Sequence, residues 1–157
     1  MTRERIGRFC IILGGLCILA AAFLLGFNLR EERRAAAATQ RILPAVAHSI
    51  GQSPASMPTL PAGELTVSLE GEEYLGILSL PTLALELPVG AEWEMDFLRQ
   101  APCRYAGTLA GDDIIIAAHN YRRHFAALHT LRPGDAVLFT DAAGQTYCYT
   151  VDRVETL

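Results

Sequence analysis

The sequence predicts a mostly β domain with short helices, preceded by an N-terminal transmembrane helix. An uncharged run near the N-terminus is long enough to cross a bilayer, and an alanine- and proline-rich stretch follows it. The second half holds short apolar runs separated by turn residues. We expect residues 1–8 to be cytoplasmic, 9–29 to be a transmembrane anchor, 30–69 to be an extracellular stalk and 70–157 to form the β domain.

The anchor is predicted from the uncharged run between Phe9 and Leu29, which suffices for a helix across roughly 30 Å of hydrocarbon. Arg3, Arg5 and Arg8 precede this run, whereas the charges of the following "REERR" nearly cancel. The positive-inside rule therefore predicts a single-pass protein of the cell membrane with its N-terminus inside and its domain outside. A cleaved signal peptide is the alternative, because "LAAAF" offers small residues, but the run exceeds the roughly 7–15 apolar residues of a signal sequence.

The stretch after the anchor is predicted to be a stalk. "EERRAAAATQRILPAVAHSI" is rich in alanine and is expected to be helical as far as Pro44, and "GQSPASMPTLPAGE" is expected to be extended. The formal net charge of −4 leaves no cluster of positive charge for nucleic acid, which we exclude as a partner.

About five strands are predicted in the β domain. "EYLGILSL" and "LALELPV" are strand-like, "DDIIIAA" is the strongest candidate for a buried strand, and "AVLFTD" with "QTYCYTVDRVETL" reads as a hairpin. Short helices are expected in "GAEWEMDFLRQ", where Trp93 and Phe97 are spaced to pack one helical turn, and in "RRHFAALHTL". The chain stops directly after a strand, so we expect an interrupted domain with unpaired strand edges.

His119 is the candidate catalytic residue, because it ends the apolar run of "DDIIIAAHNYRRHF" where polar residues begin. On spacing alone, an inert histidine at the end of a strand is the better interpretation. His124 and His129 follow at intervals of five, which does not put ligands on one helix face, so neither a metal nor another cofactor is predicted. His124 is expected in the loop, His129 on the helix surface, and Asn120 and Arg122 in turn or surface roles.

The ordered set of motifs resembles the sortases, the membrane-anchored cysteine transpeptidases of Gram-positive bacteria. "YLGILSLPTLALELPV" is similar to the opening strands of that family, "APCRYAGTLAGDDIIIAAHNYRRHFAALHTLRPGDAVLFTD" to its central block, and "GQTYCYTVDRVETL" to the hairpin that follows. The resemblance is to class B-like or class D-like members. It implies part of an eight-stranded β-barrel, with about five of the eight strands in this chain.

The resemblance also implies a function and partners. Sortases cleave a C-terminal sorting-signal peptide of surface proteins and join the acyl group to a cell-wall or pilin amine through a thioester. The family uses a histidine, a cysteine in a "TLxTC" strand and an arginine on the next strand. Only the histidine has a counterpart here, His119, which follows Ala118 where the family usually has glycine.

The cysteine and the arginine of the family are absent from this chain, which ends before the corresponding motifs. Cys103, expected in a loop, and Cys148 do not match the context of the nucleophile, and Arg153 is expected to be a solvated surface charge in the last strand. We therefore predict that the chain by itself has no transpeptidase activity. Two alternatives remain at the level of sequence: a catalytically dead sortase-like module that binds a peptide or regulates a partner, and an unrelated membrane-anchored β domain with a structural role.

Overall fold

The computed structural model describes residues 2–51 and 64–155, with side chains from residue 7 onward. The chain divides into two compact units, Met1–Arg33 and Arg34–Leu157. Helix α1 runs from Thr2 to Ser49. Within the first unit its large apolar side chains from Phe9 to Leu29 are exposed, and α1 contains a stretch long and apolar enough to be a candidate membrane span.

The second unit is built around one curled, half-barrel sheet of seven strands. The strands are β1 (Val67–Leu69), β2 (Glu72–Leu80), β3 (Leu85–Gly90), β4 (Cys103–Ala106), β5 (Ile115–Ala117), β6 (Ala136–Asp141) and β7 (Thr146–Thr150). A short helix α2 (Met95–Leu98) joins β3 to β4, and 3-10 helices span Pro81–Leu83 and Phe125–Thr130.

The strand order is β5-β4-β3-β2-β6-β7, and β1 also pairs with β2. All pairs are antiparallel except β3 with β4, which meet in parallel at Gly90 and Cys103. β5 and β7 therefore form the two ends of this order. The predicted hairpin is confirmed as β6 and β7, but two of the strands, β1 and β4, were not predicted from the sequence.

A β-bulge in β2 divides the apolar side chains between the two faces of the sheet. Tyr74 pairs with Gly90 and Gly76 pairs with Val89, so Leu75 is the extra residue of the bulge. Tyr74 belongs to the core on the face that α1 covers, whereas Leu75 belongs to the core on the opposite, inner face. The bulge thus lets two successive large side chains fill two separate cores.

The second half of α1 packs against the sheet instead of forming a free stalk. Its buried positions are Ala35, Thr39, Ile42 and Val46, spaced by four, three and four residues along one helix face. The helix continues through Pro44 to Ser49, beyond the end predicted from the sequence. A proline inside a helix costs about 3 kcal/mol, and burial of Ile42 and Val46 at about 1.5–3 kcal/mol each offsets that cost. The predicted extended segment at residues 52–63 lies outside the described residues.

Two predicted strands differ from the sequence expectation. "DDIIIAA" yields only the three residues of β5, and Ile115 is 53% exposed, because β5 pairs with β4 alone at one end of the strand order. Strand β7 ends at Thr150, so Arg153 lies after the strand and not within it. Phe97 is buried against Tyr74, as its spacing suggested, whereas Trp93 precedes α2 and remains 46% exposed.

Candidate functional site

His119 lies two residues after the end of β5, where the chain leaves the sheet. Ile116 of β5 packs in the inner core, and Ala117 pairs with Cys103 of β4 and packs against the opposite core. The backbone then turns, because the amide of His124 donates to the carbonyl of Tyr121 at 2.9 Å and the amide of Phe125 donates to that of His119 at 3.4 Å. The end of the strand and this turn together fix the position of the imidazole.

An aromatic stack holds the imidazole of His119. Its ring centroid lies 4.9 Å from that of Tyr121 with the planes tilted by 30°, and the Tyr121 ring lies 5.5 Å from that of His124. Nε2 of His119 is buried and has no hydrogen-bond partner among the described residues. The arrangement therefore orients the imidazole by packing and leaves Nε2 without a partner among the described residues.

His124 lies in the loop between β5 and the 3-10 helix, as expected from the sequence, but it is fully buried at the far end of this stack. Neither of its ring nitrogens hydrogen-bonds to a described residue. Burial, and secondarily the nearby His119, lower the pKa of His124 to about 4, while the Gln100 carbonyl has a smaller opposing effect. At neutral pH His124 is an uncharged ring that packs against Tyr121.

A buried ion pair fixes β4, the strand that pairs with β5. Arg104 of β4 donates from Nη1 to Oε2 of Glu64 at 2.6 Å, with both side chains largely buried. The other carboxylate oxygen of Glu64 accepts from the amide of Leu109, also at 2.6 Å. Asp113 accepts from the amide of Thr108 at 2.9 Å, and Asp112 lies in the turn before β5. These bonds constrain the connection from β4 to β5 and hence the approach to His119.

The concave face of the sheet opens near β5. A groove of about 380 Å³ is lined by apolar side chains from strands across the sheet, with one carboxylate and one phenol at its edge: Leu78, Asp112, Ile114, Ile116, Val137, Phe139 and Tyr149. Burial raises the pKa of Tyr149, and the adjacent Asp112 raises it further. The phenol therefore remains protonated at neutral pH and can donate a hydrogen bond into this groove.

Cys103 is excluded as a nucleophile by its environment. It lies in β4 and not in the loop expected from sequence, it is fully buried in the core beneath α1, and its Sγ contacts the carbonyl of Ala101 at 3.6 Å. Burial raises its pKa to about 11. Since the thiolate is the attacking species, a buried thiol with this pKa is unreactive at neutral pH.

Cys148 and Arg153 are not brought together with His119. Cys148 is exposed on β7 opposite Leu138 of β6, at the other end of the strand order from β5. Its neighbours Tyr147 and Tyr149 point to the opposite, more buried face, because side chains alternate along a strand. Arg153 forms an exposed ion pair with Glu155 at 3.0 Å, which confirms a surface role.

The remaining polar candidates have local roles. His129 is exposed on its 3-10 helix, with Nδ1 2.7 Å from the carbonyl of Ala126, as predicted. Asn120 and Arg122 are exposed beside His119. Within residues 2–51 and 64–155, no group of three or more histidine, cysteine, aspartate or glutamate side chains is placed to hold a metal ion.

The sequence singled out His119 as a candidate but not the residues that contact it in the structure. Tyr121 and His124 were not assigned to the site, although the alternation of rings in "HNYRRH" is a signal that could have suggested a stack. The burial of His124 could not be read from the sequence, because it depends on how the loop folds back toward α2 and β4. Among the described residues, Cys103, Cys148 and Arg153 all lie away from the positioned imidazole of His119.

Comparison with known proteins identifies the domain. Residues 78–157, just over half of the chain, match the family model described as the sortase domain. No curated protein matches the chain. The matched region begins within β2 and includes His119, its stack and the β6–β7 hairpin.

Several solved structures are similar. Sortase C1 from Streptococcus agalactiae is 22% identical with a TM-score of 0.49, over 55% of this chain and 48% of that one. Sortase C from Clostridium perfringens is 20% identical with a TM-score of 0.44, over 51% and 45%. Sortase C from Streptococcus pneumoniae is 19% identical with a TM-score of 0.47, over 79% and 67%. The chain thus spans about half the length of the first two structures.

Proposed function

Because the chain belongs to the sortase family, we propose that its function is that of a membrane-anchored cysteine transpeptidase in which His119 is the general acid. The substrates would be the sorting-signal peptide of a surface protein and a cell-wall or pilin amine. The observation that carries this proposal is the geometry of His119: a strand-end imidazole, oriented by Tyr121, with a buried Nε2 that accepts no bond from the described residues. The assignment to a class B-like or class D-like sortase stays a prediction.

The chemistry requires the imidazole at two points. A thiolate attacks the peptide carbonyl to form a C–S bond, and the C–N bond then breaks as the leaving nitrogen takes a proton from His119. A second amine attacks the thioester, gives one proton to the same imidazole and releases the thiolate, so the acid and the nucleophile are both regenerated. An arginine would stabilise the negative charge on the carbonyl oxygen. We propose that neither Cys103 nor Cys148 is this nucleophile and that Arg153 is not this arginine.

The first test measures cleavage. The full chain in neutral detergent is incubated with a fluorogenic sorting-signal peptide. Cleavage should not exceed that of the peptide alone, because Cys103 is buried and Cys148 lies on β7, at the opposite end of the strand order from β5. Single His119→Ala and Cys148→Ala variants are the controls. Cleavage by the wild-type chain that both variants abolish would identify Cys148 as the nucleophile and overturn the proposal that the nucleophile lies elsewhere.

The second test measures membrane topology, for which the exposed run from Phe9 to Leu29 is the support. If this run is an uncleaved anchor with the domain outside, a membrane-impermeant maleimide added to intact cells should label the chain at Cys148, which is exposed. Labelling should disappear in Cys148→Ser and persist in Cys103→Ser, because Cys103 is buried. Labelling of the wild type only after the cells are permeabilised would contradict an extracellular domain.

A further inference from the structure

A second cleft, separate from the groove on the inner face, lies beside the second half of α1. It has a volume of about 730 Å³, and its walls come from α1, the β2–β3 connection, β6 and the loop after His119. Its lining comprises Ala36, Thr39, Gln40, Leu43, Ser79, Pro81, Leu83, Ala84, Leu85, Glu86, Arg122, Arg123 and Leu138. All of these residues belong to the compact unit that begins at Arg34.

The floor of this cleft is a row of cross-strand neighbours. Glu86 of β3 pairs with Ser79 of β2, and Ser79 pairs with Leu138 of β6. Ser79 lies on the same face of β2 as Ile77, which packs in the core beneath α1. The cleft is therefore an opening on the face of the sheet that α1 covers, at a point where helix and sheet do not meet.

Two guanidinium groups give the cleft its charge. Arg122 and Arg123 are exposed, and neither forms an ion pair or hydrogen bond within the described part of the chain. The only carboxylate in the lining is that of Glu86, which is exposed and forms no ion pair with either arginine. Two cations against one anion leave a positive site on a chain whose formal net charge is −4. Unpaired arginines favour carboxylate or phosphate ligands, which they bind through two parallel hydrogen bonds.

We propose that this cleft binds an extended peptide segment that carries both acidic and apolar side chains. The acidic groups pair with Arg122 and Arg123, and the apolar groups cover Leu43, Leu83 and Leu138. A volume of about 730 Å³ is in the range of ligand pockets and is far larger than a single phosphate needs. Gln40 and the hydroxyl of Ser79 offer hydrogen bonds to a peptide backbone. This interaction does not depend on catalysis by His119, and binding without cleavage would still be observed if the proposed reaction were wrong.

The test is a binding titration on the full chain in neutral detergent, with a labelled peptide of alternating leucine and glutamate as the probe and fluorescence anisotropy as the readout. The Arg122→Gln/Arg123→Gln double variant should bind at least about tenfold more weakly, which corresponds to about 1.4 kcal/mol. Arg132→Gln removes an exposed arginine outside the cleft and should leave the affinity unchanged. Equal binding by the wild type and the double variant would overturn the proposal.

A second pair of variants tests whether the peptide enters the cleft or only contacts the charged surface around the arginines. Ala36→Phe fills the cleft from α1, so it should reduce affinity about tenfold with both arginines intact, whereas Ala37→Phe, at the exposed next position outside the lining, should not. A probe with glutamine in place of glutamate should also bind about tenfold more weakly. If dihexanoyl phosphatidylglycerol binds in an arginine-dependent manner and the peptide does not, the ligand is a lipid phosphate and the peptide proposal fails.

Discussion

We expect the Gly76→Ala variant to lose about 3 kcal/mol or more of its free energy of unfolding. A Cβ built at Gly76 overlaps the carbonyl oxygen of Thr140 and lies 2.9 Å from Cα of Asp141, so it meets the backbone of β6 and not a movable side chain. Either β6 moves away, which breaks its pairing with β2, or the bulge collapses. A collapsed bulge would disturb the separation that sends Tyr74 to one core and Leu75 to the other.

Urea denaturation of the full chain in neutral detergent measures this loss, with Gly71→Ala as the matched control. Gly71 has a positive φ of 91° but no heavy atom within 4 Å of its Cβ position, so alanine there incurs only conformational strain, at about 1 kcal/mol. The difference between the two variants isolates the close approach of β2 to β6. If both variants lose the same free energy, the bulge does not need a glycine for space and this account of Gly76 is wrong.

The elements that the sequence predicted well are those whose signal is local. The apolar run "EYLGILSL" is found as β2 and the alternation in "TYCYT" as β7, because each signal lies in consecutive residues of a single strand. Strand β4 carries no such signal, since its pairing with β3 is limited to Gly90 and Cys103 and its core position is set by α1 and α2. The extent of α1 beyond Pro44 likewise depends on a tertiary contact, the burial of Val46 against the sheet.

The same contrast explains the candidate site. His119 could be chosen as a candidate because a short apolar strand leads directly to it and because family motifs flank it. The residues that contact His119 could not be predicted, because the stack with Tyr121 and the burial of His124 arise from a turn whose hydrogen bonds run between backbone groups. Glu64 shows the limit most clearly: it was assigned to a stalk, yet it is largely buried and holds both Arg104 and the amide of Leu109.

The burial of His124 predicts a specific loss of stability in acid. Its folded pKa of about 4 lies below the ordinary value of 6.5, so the unfolded chain takes up a proton at a pH where the folded chain does not. The contribution of His124 to the free energy of unfolding is therefore fully present above pH 6.5 and is lost as the pH falls toward 4. A difference of this size in pKa corresponds to about 3 kcal/mol.

His124→Phe should remove this acid sensitivity, because phenylalanine keeps a ring against Tyr121 and has no nitrogen that can take up a proton. Urea denaturation at pH 7 and pH 4.5 gives the loss on acidification for each chain. Carboxylate protonation contributes equally to both, and at pH 4.5 most but not all of the effect of His124 is expressed, so the wild type should lose about 2 kcal/mol more than His124→Phe. His129→Gln, at an exposed position, should follow the wild type. Equal losses for the wild type and His124→Phe would mean that His124 is hydrated and protonated in the folded chain, and the uncharged stack behind His119 would then have to be abandoned.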